Sequence, residues 1–221
     1  MEFRYKRIRE VFWLSLAVSL LMTLCKLVIG LKLRNLAVLA DSVHSLLEGG
    51  SSAIGLVVMY TLGQPAAGQA NNRGKFEILA AILLSGLFFL SCWEILGSAF
   101  ERLFQHTLPP KFSWWGILFL LGSLGIHHGM QGYKKGRAFE LSSPLLAAGV
   151  ARGFYILIST VAALASVVAS AAGWAWFDAY VAVGIILMAA LSAYSLIDTA
   201  IDALAGARRQ QMAEEQGTRL L

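Results

Sequence analysis

Long apolar stretches separated by short polar breaks run through this chain from end to end. Six of them, at roughly residues 11–31, 37–62, 77–100, 113–133, 144–170 and 176–198, are each long enough to cross a bilayer. A hydrocarbon layer of about 30 Å takes about 20 helical residues. The breaks carry their own signals. GQPAAGQANN (63–72) is loop-like, and Pro109-Pro110 interrupts the chain before the fourth stretch. KKGRAFELSSP (134–144) is a basic connection in which Ser143-Pro144 is placed to start a helix. AAGWAWFD (171–178) is short enough to fold the last two helices into an antiparallel hairpin, with Trp174 and Trp176 suited to a membrane–water interface. The pattern predicts an all-α, polytopic membrane protein of six transmembrane helices with no cytoplasmic domain. It divides into a basic N-terminus (1–10), a membrane domain (11–202) and a short tail (203–221). The first apolar run is too long for a signal peptide and has no evident cleavage site, so it is read as a span.

Composition agrees: 57% of residues are hydrophobic and 14% charged, against about 25% charged in soluble domains. The charges are placed unevenly. With six spans both termini lie on one side, and that side collects twelve Lys and Arg, in clusters at 4–9, 73–75, 134–137 and 208–219. The other side has four: Lys32, Arg34, Arg102 and Lys111. Lys and Arg are retained in the cytoplasm during insertion, so both termini are expected inside. The net charge of +5 then reports topology, and no nucleic-acid partner follows from it. Cys25 and Cys92 fall in separate spans and read as small buried hydrophobes.

The segment VLADSVHSLLEGGSS (38–52) places Asp41, His44 and Glu48 on one helix face. A carboxylate at the bilayer centre costs at least about 2.5 kcal/mol, so it persists where it faces a cavity, meets a counter-charge or binds an ion. Imidazole and carboxylate are also ligands for divalent metals. His44 and Glu48 offer two from one helix, and a second helix must supply the rest. Two cations, Lys26 and Arg152, fall within spans and need carboxylate partners or a route to the interface. His127 and His128 suit either hydrogen-bonded packing or a lent imidazole. Glu94 calls for Lys26 or a water-filled cavity, while His106, Asp198 and Asp202 read as solvated. Gly49, Gly50 and Gly55 in the second span, and Gly122, Gly125 and Gly129 in the fourth, suit close helix packing. No nucleophile–base pair marks an enzyme.

Several of these segments together resemble the cation diffusion facilitators, the proton-coupled divalent metal exporters. KLVIGLKLRNLAVLADSVHSLLEGGSS (26–52) is similar to the family's Leu-Ala-Asp-x-x-His-x-x-x-Asp region. There the last two polar residues form half of a tetrahedral transport site. They correspond to His44 and Glu48, with Glu where the family has Asp. RGKFE (73–77) resembles the family's His-Gly-Lys-x-Glu entry to helix three, and GWAWFDAYVAVGIILMAALSAYSLIDTAIDAL (173–204) its sixth helix. SSPLLAAGVARGFYILIS (142–159) has the frame of its fifth helix. Anchored on Leu145-Leu146-Ala147, however, the family's histidine falls on Ala151 and its aspartate on Tyr155. The preceding acid falls on Ala148, and only Ser159 follows the pattern.

The resemblance implies metal contacts from His44, Glu48, Asp41 and Tyr155, with Arg152 and Lys26 as counter-ions. The divalent metal is the transported substrate, and no cofactor is expected. Counted from the membrane faces, Glu48 and Tyr155 both lie about 15 Å deep, so the second and fifth helices meet there. Arg152 then either pairs with Glu48, a tethered charge in place of the cation, or extends to the cytoplasmic face. The second case leaves an oxygen-rich site that leans to manganese or iron(II) over zinc. Two functions follow. One is alternating-access transport with proton exchange on His44, whose imidazole titrates near neutral pH. The other is a non-transporting partner that stabilises or regulates a full-length relative. The expected surroundings are membrane lipids, a homodimer or a heterodimer with a relative, and the cell inner membrane or a specialised intracellular membrane.

Overall fold

A computed structural model describes residues 2–62, 88–104, 109–174 and 176–194. Nearly all of them are helical, and they contain no strand. The helices are α1 (Glu2–Leu33), α2 (Leu36–Leu62), α3 (88–104), α4 (Trp114–Glu140), α5 (Pro144–Ala171) and α6 (Phe177–Tyr194). The basic N-terminal residues are themselves helical, since α1 already runs from Glu2. The tail and the segment RGKFE lie outside the described residues.

Local chemistry sets the boundaries. Arg34 adopts the left-handed conformation (φ 51°), which turns the chain between α1 and α2 in two residues. Asn35 then caps α2 by accepting from the Val38 amide at 2.9 Å. At the start of α5, Ser143 accepts from the Leu146 amide and Pro144 takes the first helical position, as the Ser-Pro pair predicts. The basic connection before it is shorter than expected, because α4 continues to Glu140. Lys134, Lys135 and Arg137 are therefore helical, and only Leu141, Ser142 and Ser143 join the two helices. Ser142, in the left-handed region (φ 44°), turns the chain after α4. Pro144 then holds Ser143 extended, since the residue before a proline avoids the helical region.

α1 and α2 form an antiparallel hairpin in which the Ser15 and Ser52 hydroxyls meet at 2.8 Å. Gly30 and Gly55 make the approach possible: a Cβ on either would press into Leu39 or the Phe12 ring respectively. Gly116 of α4 is similarly tight against Leu33 of α1, but the α4 glycines noted in the sequence do not play this part. Gly122, Gly125 and Gly129 have nothing within 4 Å of where a Cβ would stand. α5 packs between α2 and α4, and α4 also touches α1.

Two apolar clusters form the core. One gathers Leu33, Ala37, Val38, Ile95, Leu120, Val167 and Ile185 near the α1–α2 and α5–α6 turns. The other, from Ile8, Phe12, Leu56, Met59 and Leu146, lies at the opposite end. Between them buried polar and charged side chains fill the bundle, including Lys26, Asp41, His44 and His127. The outside is the reverse. Leu24, Leu31, Phe89, Trp93 and Leu191 are exposed, as lipid-facing residues should be. Among the described residues, three stretches are long and apolar enough to cross a membrane by length and composition alone: Lys6–Leu33, Gly153–Ala171 and Phe177–Tyr194. α2 and α4 are as long, but their inward faces hold the polar residues. The chain is an all-α membrane protein.

At one end a single carboxylate ties three helices together. Asp178, in the first turn of α6, accepts from the Leu36 and Ala37 amides at 3.0 and 2.8 Å and pairs with Arg102 of α3. It thus satisfies two orphan donors of α2 and places negative charge at that helix's positive end. Asp178→Ala removes all of this and strands a partly buried guanidinium. A fall in stability of about 3 kcal/mol or more is expected, read as a lower thermal midpoint in detergent. On topology, single cysteines replacing the exposed Lys111 and Lys135, in a chain without its native cysteines, should react with an impermeant maleimide from opposite faces. Labelling of both from one side would reject the span.

Candidate cation site

The polar faces of four helices meet between the apolar clusters. α2 contributes Asp41, His44, Ser45, Glu48 and Ser52, positions repeating at helical spacing. α4 contributes His127, Gln131 and Lys134, also one face, all three buried. α5 contributes Ser159 and Thr160, and α1 contributes Lys26.

These side chains sort into two groups. In the first, Lys26 Nζ lies 2.8 Å from Asp41 Oδ2, and both side chains are 0% exposed. The ammonium also donates to Ser45 Oγ and Thr160 Oγ1, each at 3.0 Å. With His127 Nε2 a further 3.4 Å contact, the ammonium is surrounded by polar partners. The other Asp41 oxygen accepts from Ser159 at 2.6 Å and Thr160 at 3.2 Å. This is a closed, neutral unit, and Asp41 has little left to offer an ion.

In the second group Lys134 Nζ sits 2.7 Å from Glu48 Oε1, and the Gln131 amide donates to the same oxygen at 3.1 Å. The second oxygen, Oε2, lies 3.6 Å from His127 Nδ1 and has no hydrogen bond among the described residues. The other nitrogen of His127 is 3.4 Å from Lys26 Nζ, so this imidazole stands between the two charge pairs. His44 is 4% exposed, and its Nδ1 lacks a hydrogen-bond partner among the described residues. His44 and Glu48 line a cavity of about 20 Å³, together with Ser51, Gly149, Gly153 and Ser192. That is room for about one water molecule or a bare cation.

The sequence expectations fall out unevenly. His44 and Glu48 share the cavity, whereas Asp41, on the same helix face, is turned to Lys26. Lys26 serves as the counter-ion of Asp41 and not of Glu94, which is exposed on α3. Tyr155 does not stand opposite Glu48: it is 45% exposed and outside the cavity lining. Gly149 and Gly153 occupy that face instead, spaced like His44 and Glu48. The error is one of rotation, since two residues on a helix amount to about 200°. The side chains of Ala151 and Arg152 lie outside the described residues, as do His106, Asp198 and Asp202. His128 is exposed, and Cys25 and Cys92 are free and partly buried. Among the described residues, no three His, Cys, Asp or Glu side chains converge as a metal cluster.

Lys134 and Gln131 were not legible as site residues, because a helix ending near 133 leaves Lys134 in a loop. A continuous helix would have revealed them, at four and seven residues beyond His127. For the first charge pair, Lys26→Ala and Asp41→Ala should each cost about 3–5 kcal/mol, since each leaves a buried charge alone. Lys26→Met with Asp41→Leu should recover most of that loss in a thermal-melt cycle.

The pattern of the cation efflux transmembrane domain matches residues 12–205. The chain is similar to the magnetosome protein MamM of Magnetospirillum gryphiswaldense, 28% identical over 142 residues, covering 62% of this chain and 44% of that protein. It is also similar to an uncharacterized transporter of Methanocaldococcus jannaschii, 24% identical over 203 residues, covering 91% of this chain and 71% of that protein. It therefore spans under half the length of the magnetosome relative. With the domain pattern running from the first turns of α1 past the end of α6, and with ionisable side chains enclosed in a lipid-facing bundle, the chain belongs to the cation efflux family.

Proposed function

We propose that this membrane domain carries a divalent metal cation across its bilayer and takes the ion between His44 and Glu48. One observation carries the reading: an imidazole with an unpartnered nitrogen and a carboxylate with an unpartnered oxygen line one small cavity. Apolar clusters lie towards both ends of the bundle. A small mid-depth pocket that holds an imidazole and a carboxylate, with apolar packing toward either end of the bundle, suits a carrier that opens to one side at a time.

The ligand chemistry favours hard ions. One nitrogen, one carboxylate and the nearby hydroxyls of Ser51 and Ser192 make an oxygen-rich set, completed by water. Such a set leans to manganese(II) or iron(II) over zinc. An arriving cation needs neutral imidazole and ionised carboxylate, so any proton held at either group leaves as the cation binds, and transport becomes cation–proton antiport. The cytoplasmic placement of both termini, and a homodimer or a heterodimer with a longer relative, belong to this same proposal.

A second reading is favoured by α5. Its face toward Glu48 presents Gly149 and Gly153, which bring no ligand, and Lys134 already holds Glu48. On that reading the chain is a non-transporting partner of a full-length relative. Reconstitution separates the two. Proteoliposomes with an imposed pH gradient should take up manganese(II) or iron(II). His44→Ala and Glu48→Ala should each lower the rate at least about tenfold, the loss expected of a lost ligand. No uptake by the chain alone, with uptake by a co-reconstituted relative raised in its presence, would establish the partner reading. Uptake indifferent to both substitutions would reject the site.

A further inference from the structure

We propose that Lys134 is a tethered competitor for the cation site: its ammonium neutralises Glu48, and a divalent ion gains that carboxylate only by displacing it. The inference rests on reading Glu48 as a cation ligand, and adds the residue that sets how tightly the cation is held.

The first argument is charge. Asp41 is already neutralised by Lys26, so Glu48 is the only carboxylate lining the cavity among the described residues. Glu48 at −1, Lys134 at +1 and an added ion at +2 sum to +2 inside a wall of protein and lipid. With Lys134 withdrawn, the sum is +1. Low-dielectric surroundings penalise the first arrangement heavily. Ammonium and metal therefore exclude each other at Glu48.

The second argument is that Lys134 is free to leave and Lys26 is not. Lys26 is anchored by Asp41, Ser45 and Thr160 together, with no exposure at all. Lys134 has one polar partner among the described residues, Glu48, and its side chain retains 6% exposure. It also stands where α4 runs out to water. Lys135 is exposed, and within two turns Arg137 pairs with Glu140 on the surface, their side chains 31% and 59% exposed. A lysine stem at such a place can carry its charged end out to the interface while its methylenes stay against apolar surface. Gln131 remains behind on Glu48 Oε1 and would keep the carboxylate oriented.

The third argument is shape. The Gln131 amide lies over Gly153, where a Cβ would collide with it. The glycine in α5 thus makes room for the α4 side chains that reach Glu48. An α5 carboxylate or imidazole at 153 would compete for this same space, so the ligand-poor face of α5 and the lysine of α4 belong to one arrangement.

The test uses the whole chain in lipid nanodiscs with manganese(II) as the probe. Lys134→Met keeps the stem and removes the charge, and it should lower the dissociation constant at least about tenfold, as expected when a competing occupant is removed. Glu48→Gln in that background should abolish the gain. In the wild-type chain, saturating manganese(II) should speed modification of Lys134 by a water-soluble amine reagent, read by peptide mass spectrometry. That readout needs no variant to fold. Glu48-dependent binding that is unchanged or weaker in Lys134→Met, or labelling that manganese(II) leaves unchanged although it binds, overturns the competitor and leaves the site reading intact. Absence of Glu48-dependent binding in both the wild type and Lys134→Met overturns both together.

Discussion

Charge neutralisation inside a lipid-facing bundle is the constraint that organises this protein. Hydrocarbon offers an ionised side chain no solvent, so each buried carboxylate must find its cation within the fold. Asp41 finds Lys26, Glu48 finds Lys134 and Asp178 finds Arg102. Each pair joins two different helices: α2 to α1, α2 to α4, and α6 to α3. The charges that look hazardous in a membrane sequence therefore also specify which helices meet and at what height. Apolar packing between lipid-bathed helices supplies little of that specificity, because lipid tails satisfy an apolar surface as well as another helix does.

The three pairs differ in how completely their polar atoms are satisfied, and the difference singles out Glu48 as the candidate site. In Lys26–Asp41 the ammonium donates to hydroxyls of α2 and α5, and the carboxylate accepts from Ser159 of α5. Asp178 is spent on two amides, a hydroxyl and a guanidinium. Asp41 Oδ2 and Glu48 Oε2 both lack a hydrogen bond among the described residues. Asp41 Oδ2 lies 2.8 Å from the Lys26 ammonium, whereas Glu48 shares a cavity with His44, whose Nδ1 also has no partner among the described residues. Unsatisfied polar atoms in a buried place are costly, and their pairing at one cavity marks where a mobile cation would gain most. His127, between Lys26 and Glu48, links the two charge pairs.

Much of the fold was legible in the sequence because lipid imposes a strong, one-dimensional rule. A span must be about 20 apolar residues long, and that length shows in any hydropathy pattern. The Ser143-Pro144 start of α5 and the short α5–α6 turn were legible for equally local reasons. His44 and Glu48 could be found because a four-residue spacing on one helix is a sequence property. Asp41 shared that face, and nothing local said that its partner was Lys26 rather than an ion.

What only the tertiary structure decided was rotation, helix length and partnership. The face α5 turns toward Glu48 carries Gly149 and Gly153 and not Tyr155, and a motif alignment cannot detect a misplacement of about half a helical turn. The end of α4 at Glu140 depends on the turn at Ser142 and on buried partners that reward two more turns. That extension turned Lys134 from a loop cation into the counter-ion of Glu48. Hydropathy thus determined that the chain crosses a membrane and which residues were too polar to face it. Which positive charge met which negative one waited on the packing, because side chains 86 residues apart, as Lys134 and Glu48 are, are brought together only by the folded bundle.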